Sequence, residues 1–148
     1  MEMSAEALCI QVYIDGAARG NPGPAGAGVL IVDRSDGASL YEGGLFLGHA
    51  TNNAAEYRGL LAGLEAAGQL GAGEVETFSD SELLVRQMTG EYKVKNPALQ
   101  KLHARAQELV RGFRRCTFQH IRREDNTRAD KLANQAVNLK QNVGSAAT

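Results

Sequence analysis

A chain of 148 residues with 43% hydrophobic and 22% charged side chains has the size and make-up of one ordinary globular domain. About that length buries roughly two-thirds of the unfolded surface, so no disulfide scaffold is needed. A net charge of −1 argues against a nucleic-acid binder that works through overall basicity. Any such binding has to come from metal ions or from a local basic patch. Arg111, Arg114, Arg115, Arg122, Arg123 and Arg128 are available for one, although a solvated face is the plainer reading of each arginine alone. Cys9 and Cys116 lie in apolar, strand-like runs without zinc-ligand spacing and read as reduced core residues. Met1–Leu8 carries Glu2 and Glu6 and lacks the basic-then-apolar pattern of a signal peptide. The longest apolar stretch, near Ala25–Val32, is too short to cross a membrane. The expectation is a soluble, cytoplasmic, monomeric protein with no membrane partner.

Leu8–Asp15 alternates, with Leu8, Ile10, Val12 and Ile14 on one side, which predicts a strand. Gly16–Gly26 is rich in glycine and proline and reads as a loop or tight turn. Gly28–Asp33 is a second strand, Asp36-Gly37 marks a hairpin, and Leu40–Leu47 is a third, antiparallel strand. Leu60, Leu61, Leu64 and Ala67 fall at helical spacing within Asn53–Leu70, which Gly71–Gly73 terminates. A strand over Glu74–Ser79 and a short helix over Ser81–Met88 follow. Ala98–Phe113 is an amphipathic helix with Leu99, Leu102, Ala106, Leu109, Val110 and Phe113 on its stripe. Arg115–Ile121 is a fifth strand. Thr127–Lys140 is the last helix, its apolar face formed by Ala129, Leu132, Ala133, Ala136 and Val137. Residues 141–148 read as a flexible tail. Strands first as a meander and then alternating with helices imply an α/β class, a mixed sheet with helices on its faces. No repeat or linker interrupts the chain, so residues 1–148 read as a single domain with its core at about 8–140.

Four acidic residues fall at junctions between these elements. Asp15 ends the first strand, Glu56 lies in the first turn of the first helix, Asp80 follows the fourth strand and Asp130 lies in the first turn of the last helix. Ligands of open α/β sheets bind at strand ends beside helix starts. Carboxylates gathered there repel one another unless cations neutralise them, and hard oxygen donors suit Mg²⁺ or Mn²⁺. Two such ions can activate water against a phosphodiester. Each residue also has a plain structural reading. Asp15 before Gly16 suits a turn, Asp80 suits a helix N-cap, and Asn53-x-x-Glu56 and Thr127-x-x-Asp130 suit capping boxes.

The segments Tyr13-Ile14-Asp15-Gly16-Ala17, Gly20-Asn21-Pro22-Gly23-Pro24-Ala25-Gly26, Thr51-Asn52-Asn53-Ala54-Ala55-Glu56, Phe78-Ser79-Asp80-Ser81 and Asp125-Asn126-x-x-Ala129-Asp130-x-Leu132-Ala133 resemble type 1 ribonuclease H, in that family's order and spacing. The resemblance runs from about Ile10 to Val137. It implies a ribonuclease H-like fold, a five-stranded mixed sheet of three antiparallel and two parallel strands flanked by helices. It implies an endonuclease that hydrolyses the RNA strand of an RNA–DNA hybrid, leaving 5′-phosphate and 3′-hydroxyl ends. Asp15, Glu56, Asp80 and Asp130 would hold two divalent metal ions, Mg²⁺ or Mn²⁺. Asn21, Asn52 and Asn53 match positions that meet the hybrid in its minor groove. Thr51 matches a position that grips a DNA-strand phosphate, with Asn96 joining it. Hybrids are told from DNA by the 2′-hydroxyl, which short polar side chains can read in a wide, shallow groove. Capping and turn formation are the plain alternatives for these asparagines.

Two positions depart from the family pattern. The loop before the last helix, Ile121–Asn126, has no histidine where many members carry a mobile one. His120 stands near enough in sequence to be a candidate catalytic residue, with Arg122 or Arg123 as substitutes, while His49 and His103 read as ordinary surface or satisfied residues. The basic protrusion of many bacterial members looks absent, since Met88–Pro97 offers only Lys93 and Lys95. Affinity for the hybrid is then weaker or comes from another part. The competing functions are a non-catalytic hybrid- or RNA-binding module, a DNA-acting nuclease of the wider ribonuclease H-like superfamily, and a structural, partner-binding α/β domain. Binding alone does not require four junction acids.

Overall fold

The computed structural model describes residues 8–147. The N-terminal stretch read above as lacking a signal peptide lies, but for Leu8, outside them. The elements in chain order are β1 (Leu8–Ala18), β2 (Gly23–Asp33), β3 (Ser39–Ala50), α1 (Asn52–Gln69), β4 (Ala72–Ser79), α2 (Glu82–Met88), α3 (Pro97–Arg111), β5 (Arg115–His120), α4 (Thr127–Leu139) and β6 (Val143–Gly144). Short 3₁₀ turns at Arg123–Asp125 and Ser145–Ala147 complete it. The sheet has six strands in the order β5-β4-β1-β2-β3-β6. β1, β2 and β3 pair antiparallel, and β4 and β5 add in parallel beside β1. The expected three-plus-two arrangement is present, and the count of five is corrected by β6.

That sixth strand comes from the segment expected to be a flexible tail. Lys140 caps α4 in the left-handed conformation, φ 53°, which reverses the chain. Val143 and Gly144 then pair antiparallel with Gly44 and Gly43 of β3. Asn142 Oδ1 accepts from Phe46 N at 2.9 Å, and Ser145 Oγ accepts from Glu42 N at 3.2 Å. A two-residue strand is too short to show a periodic pattern, so only the partner edge reveals it.

One apolar layer forms where Ile10, Val12, Ile14, Val29 and Ile31 of the sheet meet Leu60 and Leu64 of α1, all fully buried. α3 leans on α1 from outside. Its stripe is partly covered, and only Ala106 is fully enclosed. The predicted inner face of α4 is buried residue for residue: Ala129, Leu132, Ala133, Ala136 and Val137. Because successive strand residues face opposite sides, Ala27 and Val29 meet α1 while Gly26 and Gly28 meet α4.

The expectation that Gly16–Gly26 is a loop is therefore corrected. β1 runs on to Ala18 and β2 starts at Gly23, leaving only residues 19–22 as the turn, closed by Arg19 N donating to Pro24 O at 2.8 Å. Gly20, at φ 100°, serves that turn, whereas Gly16, Gly26 and Gly28 serve close packing. A Cβ at Gly28 would collide with the Ala129 carbonyl of α4, and one at Gly16 would collide with the Ala55–Glu56 peptide of α1. Both helices thus rest almost directly on the strand backbone. Gly28→Ala is expected to cost about 1–3 kcal/mol by forcing α4 outward. Urea unfolding measures this, and an unchanged midpoint would show that α4 does not depend on that contact.

Candidate active site

The strand register decides where the junction acids meet. Ile14 pairs with Ser79 across the parallel β1–β4 ladder, so Asp15 is the next residue of β1 and Asp80 the first residue past the end of β4 beside it. Asp15 also pairs with Gly28, the position on which Ala129 rests. Asp15 therefore faces the start of α4, where Asp130 follows Ala129. Glu56 arrives from the other face, its peptide seated on Gly16. Carboxylate oxygens of Asp15, Glu56 and Asp80 all lie within 4.8 Å of one another. Asp130 sits at the edge of this triad, hydrogen-bonded to Asp15 and held by Asn134, whose Nδ2 donates to its Oδ1 at 3.2 Å.

The capping roles that competed for these residues belong to others. Thr51 caps α1, its Oγ1 accepting from Ala54 N at 3.1 Å. Ser81, not Asp80, caps α2, its Oγ accepting from Leu84 N at 3.2 Å. Asn126 precedes α4 without capping it by its side chain, and Thr127 is already helical. Instead the buried Asn126 side chain donates to Ile14 O at 2.8 Å and ties α4 to β1 beside Asp15. Asp15 lies inside a strand and forms no turn. The four carboxylates are left with no capping or turn role.

Their environment is hostile to charge. Burial, then repulsion from Asp80 and contact with Asp130, push the Asp15 carboxyl up to about 8. Burial and repulsion from Asp15 and Asp80 push Glu56 up to about 9, against a smaller opposing pull from the Gly16 amide and Arg123. Glu56 Oε1 is buried and accepts no hydrogen bond. A buried oxygen of this kind ordinarily has a partner. A hard divalent cation among three or four carboxylates provides one, so the donor set fits Mg²⁺ or Mn²⁺.

The five residues expected to touch substrate gather in one cleft of about 680 Å³ beside this cluster: Asn21, Thr51, Asn52, Asn53 and Asn96 all line it. The side-chain oxygens of all but Asn53 are occupied by backbone amides. Asn21 Oδ1 accepts from Asn52 N at 3.1 Å, Asn52 Oδ1 from Ala18 N at 2.8 Å, and Asn96 Oδ1 from Ala98 N and Leu99 N at 2.9 and 3.2 Å. Among the described residues their amide Nδ2 groups meet no protein acceptor, so the cleft presents donors. His49 and Arg58 line it too. Reading the sequence missed both, because they come from β3 and the second turn of α1 and share no motif.

His120 ends β5 opposite Ser79, outside the Asp15–Glu56–Asp80 cluster. In the loop ahead of α4, Arg123 is the group that acts on Glu56. His103 is satisfied as expected, its Nε2 3.2 Å from Gln87 O. Cys9 and Cys116 are both thiols and half-buried rather than enclosed in the core.

A model of the reverse transcriptase-like family matches residues 13–136. The bifunctional protein Rv2228c of Mycobacterium tuberculosis is 48% identical over 128 residues, covering 86% of this chain and 35% of that protein. The structure of its N-terminal ribonuclease H domain superposes with a TM-score of 0.87 at 46% identity, covering 90% of this chain and 96% of that one. Ribonuclease HI of Halobacterium salinarum is 45% identical over 86% of this chain and 64% of its own length. The crystal structure of LC11-RNase H1 in complex with RNA/DNA hybrid matches with a TM-score of 0.84 at 45% identity, over 88% of this chain and 98% of that one. The chain thus spans about a third of the mycobacterial protein and under two-thirds of the archaeal one.

The raised carboxyls link stability to pH. Asp15 and Glu56 hold protons in the folded state that they lose when unfolded, so their contribution is fully present below the ordinary values of 3.8 and 4.5 and is lost as pH rises through about 8 and 9. Metal-free protein is expected to be less stable at pH 9 than at pH 6. Asp15→Asn should flatten that slope and stabilise the protein at pH 9 by about 1–3 kcal/mol. Urea unfolding in EDTA at both pH values checks it, and a slope unaffected by Asp15→Asn would contradict it.

Proposed function

The chain belongs to the type 1 ribonuclease H family, and we propose that it hydrolyses the RNA strand of RNA–DNA hybrids, leaving 5′-phosphate and 3′-hydroxyl ends. The observation that carries this reading is the cluster of Asp15, Glu56 and Asp80 beside a donor-lined cleft, with the capping and turn roles that competed for the acids filled by other residues. A hybrid- or RNA-binding module without catalysis would need the cleft alone. Gathering like charges around the buried Asp15 would then be a cost without a return.

In this reading Asp15, Glu56, Asp80 and Asp130 hold two divalent cations, Mg²⁺ or Mn²⁺. When bound, such cations lower the pKa of water and offset the charge that develops on the leaving oxygen. The protein's own part is positional. Asp15 and Asp80 are set by the β1–β4 register, and Glu56 by the seat of α1 on Gly16. Asn126 holds α4, and with it Asp130, against β1. Asn21 and Asn52 turn their amide N–H groups toward the acceptor-rich minor groove, where the 2′-hydroxyl marks the RNA strand. The Thr51 hydroxyl hydrogen remains available to a DNA-strand phosphate oxygen, with the Asn96 amide beside it. We assign the loop role before α4 to Arg123, which lies in the turn Arg123–Asp125 just ahead of that helix, rather than to His120 at the end of β5. No helix among the described residues is long and apolar enough to cross a membrane. With both cysteines as thiols, a cytoplasmic monomer is the setting we assign.

A labelled RNA–DNA hybrid incubated with Mg²⁺, Mn²⁺ or EDTA tests the reading. RNA-strand cleavage with either metal and none in EDTA is expected. Asp15→Asn and Asp80→Asn should each lower the rate by more than about 100-fold, beyond the loss typical of a supporting residue, while remaining folded. Cleavage that ignores EDTA, or that survives both substitutions, would overturn it. Arg123→Ala should lower kcat more than His120→Ala, and the reverse order would return the loop role to the histidine.

A further inference from the structure

Three of the four acids owe their places to the sheet and to α1. Asp15 and Asp80 follow the β1–β4 register, and Glu56 follows the seat of α1 on Gly16. Asp130 differs. It is half-buried in the first turn of α4, stands outside the group whose oxygens lie within 4.8 Å of one another, and meets that group through Asp15. A carboxylate at the edge of a cluster of like charges is pushed outward by its neighbours. Something has to hold it.

Asn134 does so. A helical side chain leans toward the N-terminus, over the residue four positions earlier, so Asn134 covers Asp130. Its Nδ2 donates to Asp130 O at 2.9 Å and to Asp130 Oδ1 at 3.2 Å, which ties the carboxylate to its own backbone. The amide is held in turn, because Arg19 Nη2 donates to Asn134 Oδ1 at 3.2 Å. A guanidinium has donors only, so it fixes the amide oxygen on its own side and leaves the N–H groups to face Asp130. It also polarises the amide and strengthens those donors. Arg19 thus reaches Asp130 through a neutral group. A guanidinium bonded to the carboxylate itself would take up charge that a cation needs.

Arg19 belongs to the turn over residues 19–22 between β1 and β2. The same turn carries Asn21, whose Oδ1 accepts from Asn52 N, and Ala18 just before it donates to Asn52 Oδ1. The turn is therefore fastened to the start of α1 on one side and to α4 on the other. Neither Arg19 nor Asn134 lines the donor cleft.

We propose that Asn134 is a positioning residue: clamped by Arg19, its amide holds the Asp130 carboxylate beside Asp15 and thereby sets the affinity of the acidic site for divalent cations. The inference rests on the metal-dependent reading above and adds two residues that act through Asp130.

Mn²⁺ is titrated calorimetrically, without nucleic acid, into wild type, Asn134→Ala, Arg19→Ala, Arg19→Lys and the Arg19→Ala/Asn134→Ala double variant. Removing a group that orients a metal ligand costs about 10–100-fold in metal affinity, so Asn134→Ala is expected to weaken Mn²⁺ binding about tenfold or more. Arg19→Ala is expected to weaken it about threefold, the scale of one exposed hydrogen bond, and Arg19→Lys to recover most of that loss. Adding Arg19→Ala to Asn134→Ala should cost nothing further, because the arginine acts through the amide. In hybrid cleavage, kcat of Asn134→Ala should fall at low Mg²⁺ and recover as Mg²⁺ is raised, with KM for the hybrid unchanged. Arg19 lies in an exposed turn, so Arg19→Ala stays folded and decides the matter by itself if Asn134→Ala does not fold. Unchanged Mn²⁺ affinity in every folded variant, or a loss of urea stability with no loss of affinity, marks a merely structural role and overturns this inference alone. Losses that add in the double variant overturn the clamp assigned to Arg19. A wild-type chain that binds no Mn²⁺ and cuts no hybrid overturns the functional reading and this inference together.

Discussion

Asp15 and Glu56 are held where burial and mutual repulsion oppose their charges, and most of the architecture around them can be traced to keeping them there. Asp15 lies inside a strand, 6% exposed, with Asp80 just past the end of the neighbouring strand and Asp130 at the foot of the helix that crosses it. The position of Glu56 requires α1 to touch β1 at Gly16, and that of Asp130 requires α4 to touch β2 at Gly28. Each contact brings helix and strand backbones together at a distance no side chain allows. The resulting proximity of like charges is unfavourable in the protein by itself. It becomes favourable once cations enter, because the same burial that penalises the bare carboxylates strengthens their attraction for a metal.

Around this centre the molecule divides its labour by charge. The carboxylate cluster accepts cations, while the neighbouring cleft offers N–H and O–H donors because backbone amides already occupy its side-chain oxygens. Helix capping and substrate contact are therefore one device at Thr51 and Asn96. The backbone takes the oxygen and leaves the hydrogens pointing outward. One element, α1, joins the two regions, with Thr51 at its cap and both Glu56 and Arg58 in its second turn.

The sequence made the acids legible because their order and spacing repeat a family pattern that composition alone would not reveal. Helices with a clear apolar face were equally plain, as the buried residues of α4 show. Glycine was ambiguous. It marks a turn or a close approach, and within Gly16–Gly26 only the tertiary contacts with α1 and α4 reveal the second meaning. The capping boxes at Asn53 and Thr127 fit local spacing, but Thr51 and the buried Asn126 begin those helices, since the chain's entry angle is fixed by the sheet. Val143–Gly144 becomes a strand only because the β3 edge is there to pair with. His49 and Arg58 gain meaning from a cleft built of three elements, which no linear motif encodes.

The raised Asp15 and Glu56 carboxyls mark a place made for divalent cations. Isothermal titration of Mg²⁺ or Mn²⁺ into the protein at pH 7, in two buffers of different ionisation enthalpy, tests this directly. Because both groups hold protons near neutrality, values of about 8 and 9 predict that metal binding releases protons and that the observed heat depends on the buffer. Saturable binding with proton release, abolished in Asp15→Asn, is the expected result. Absence of binding, or binding with no proton released, would contradict the claim.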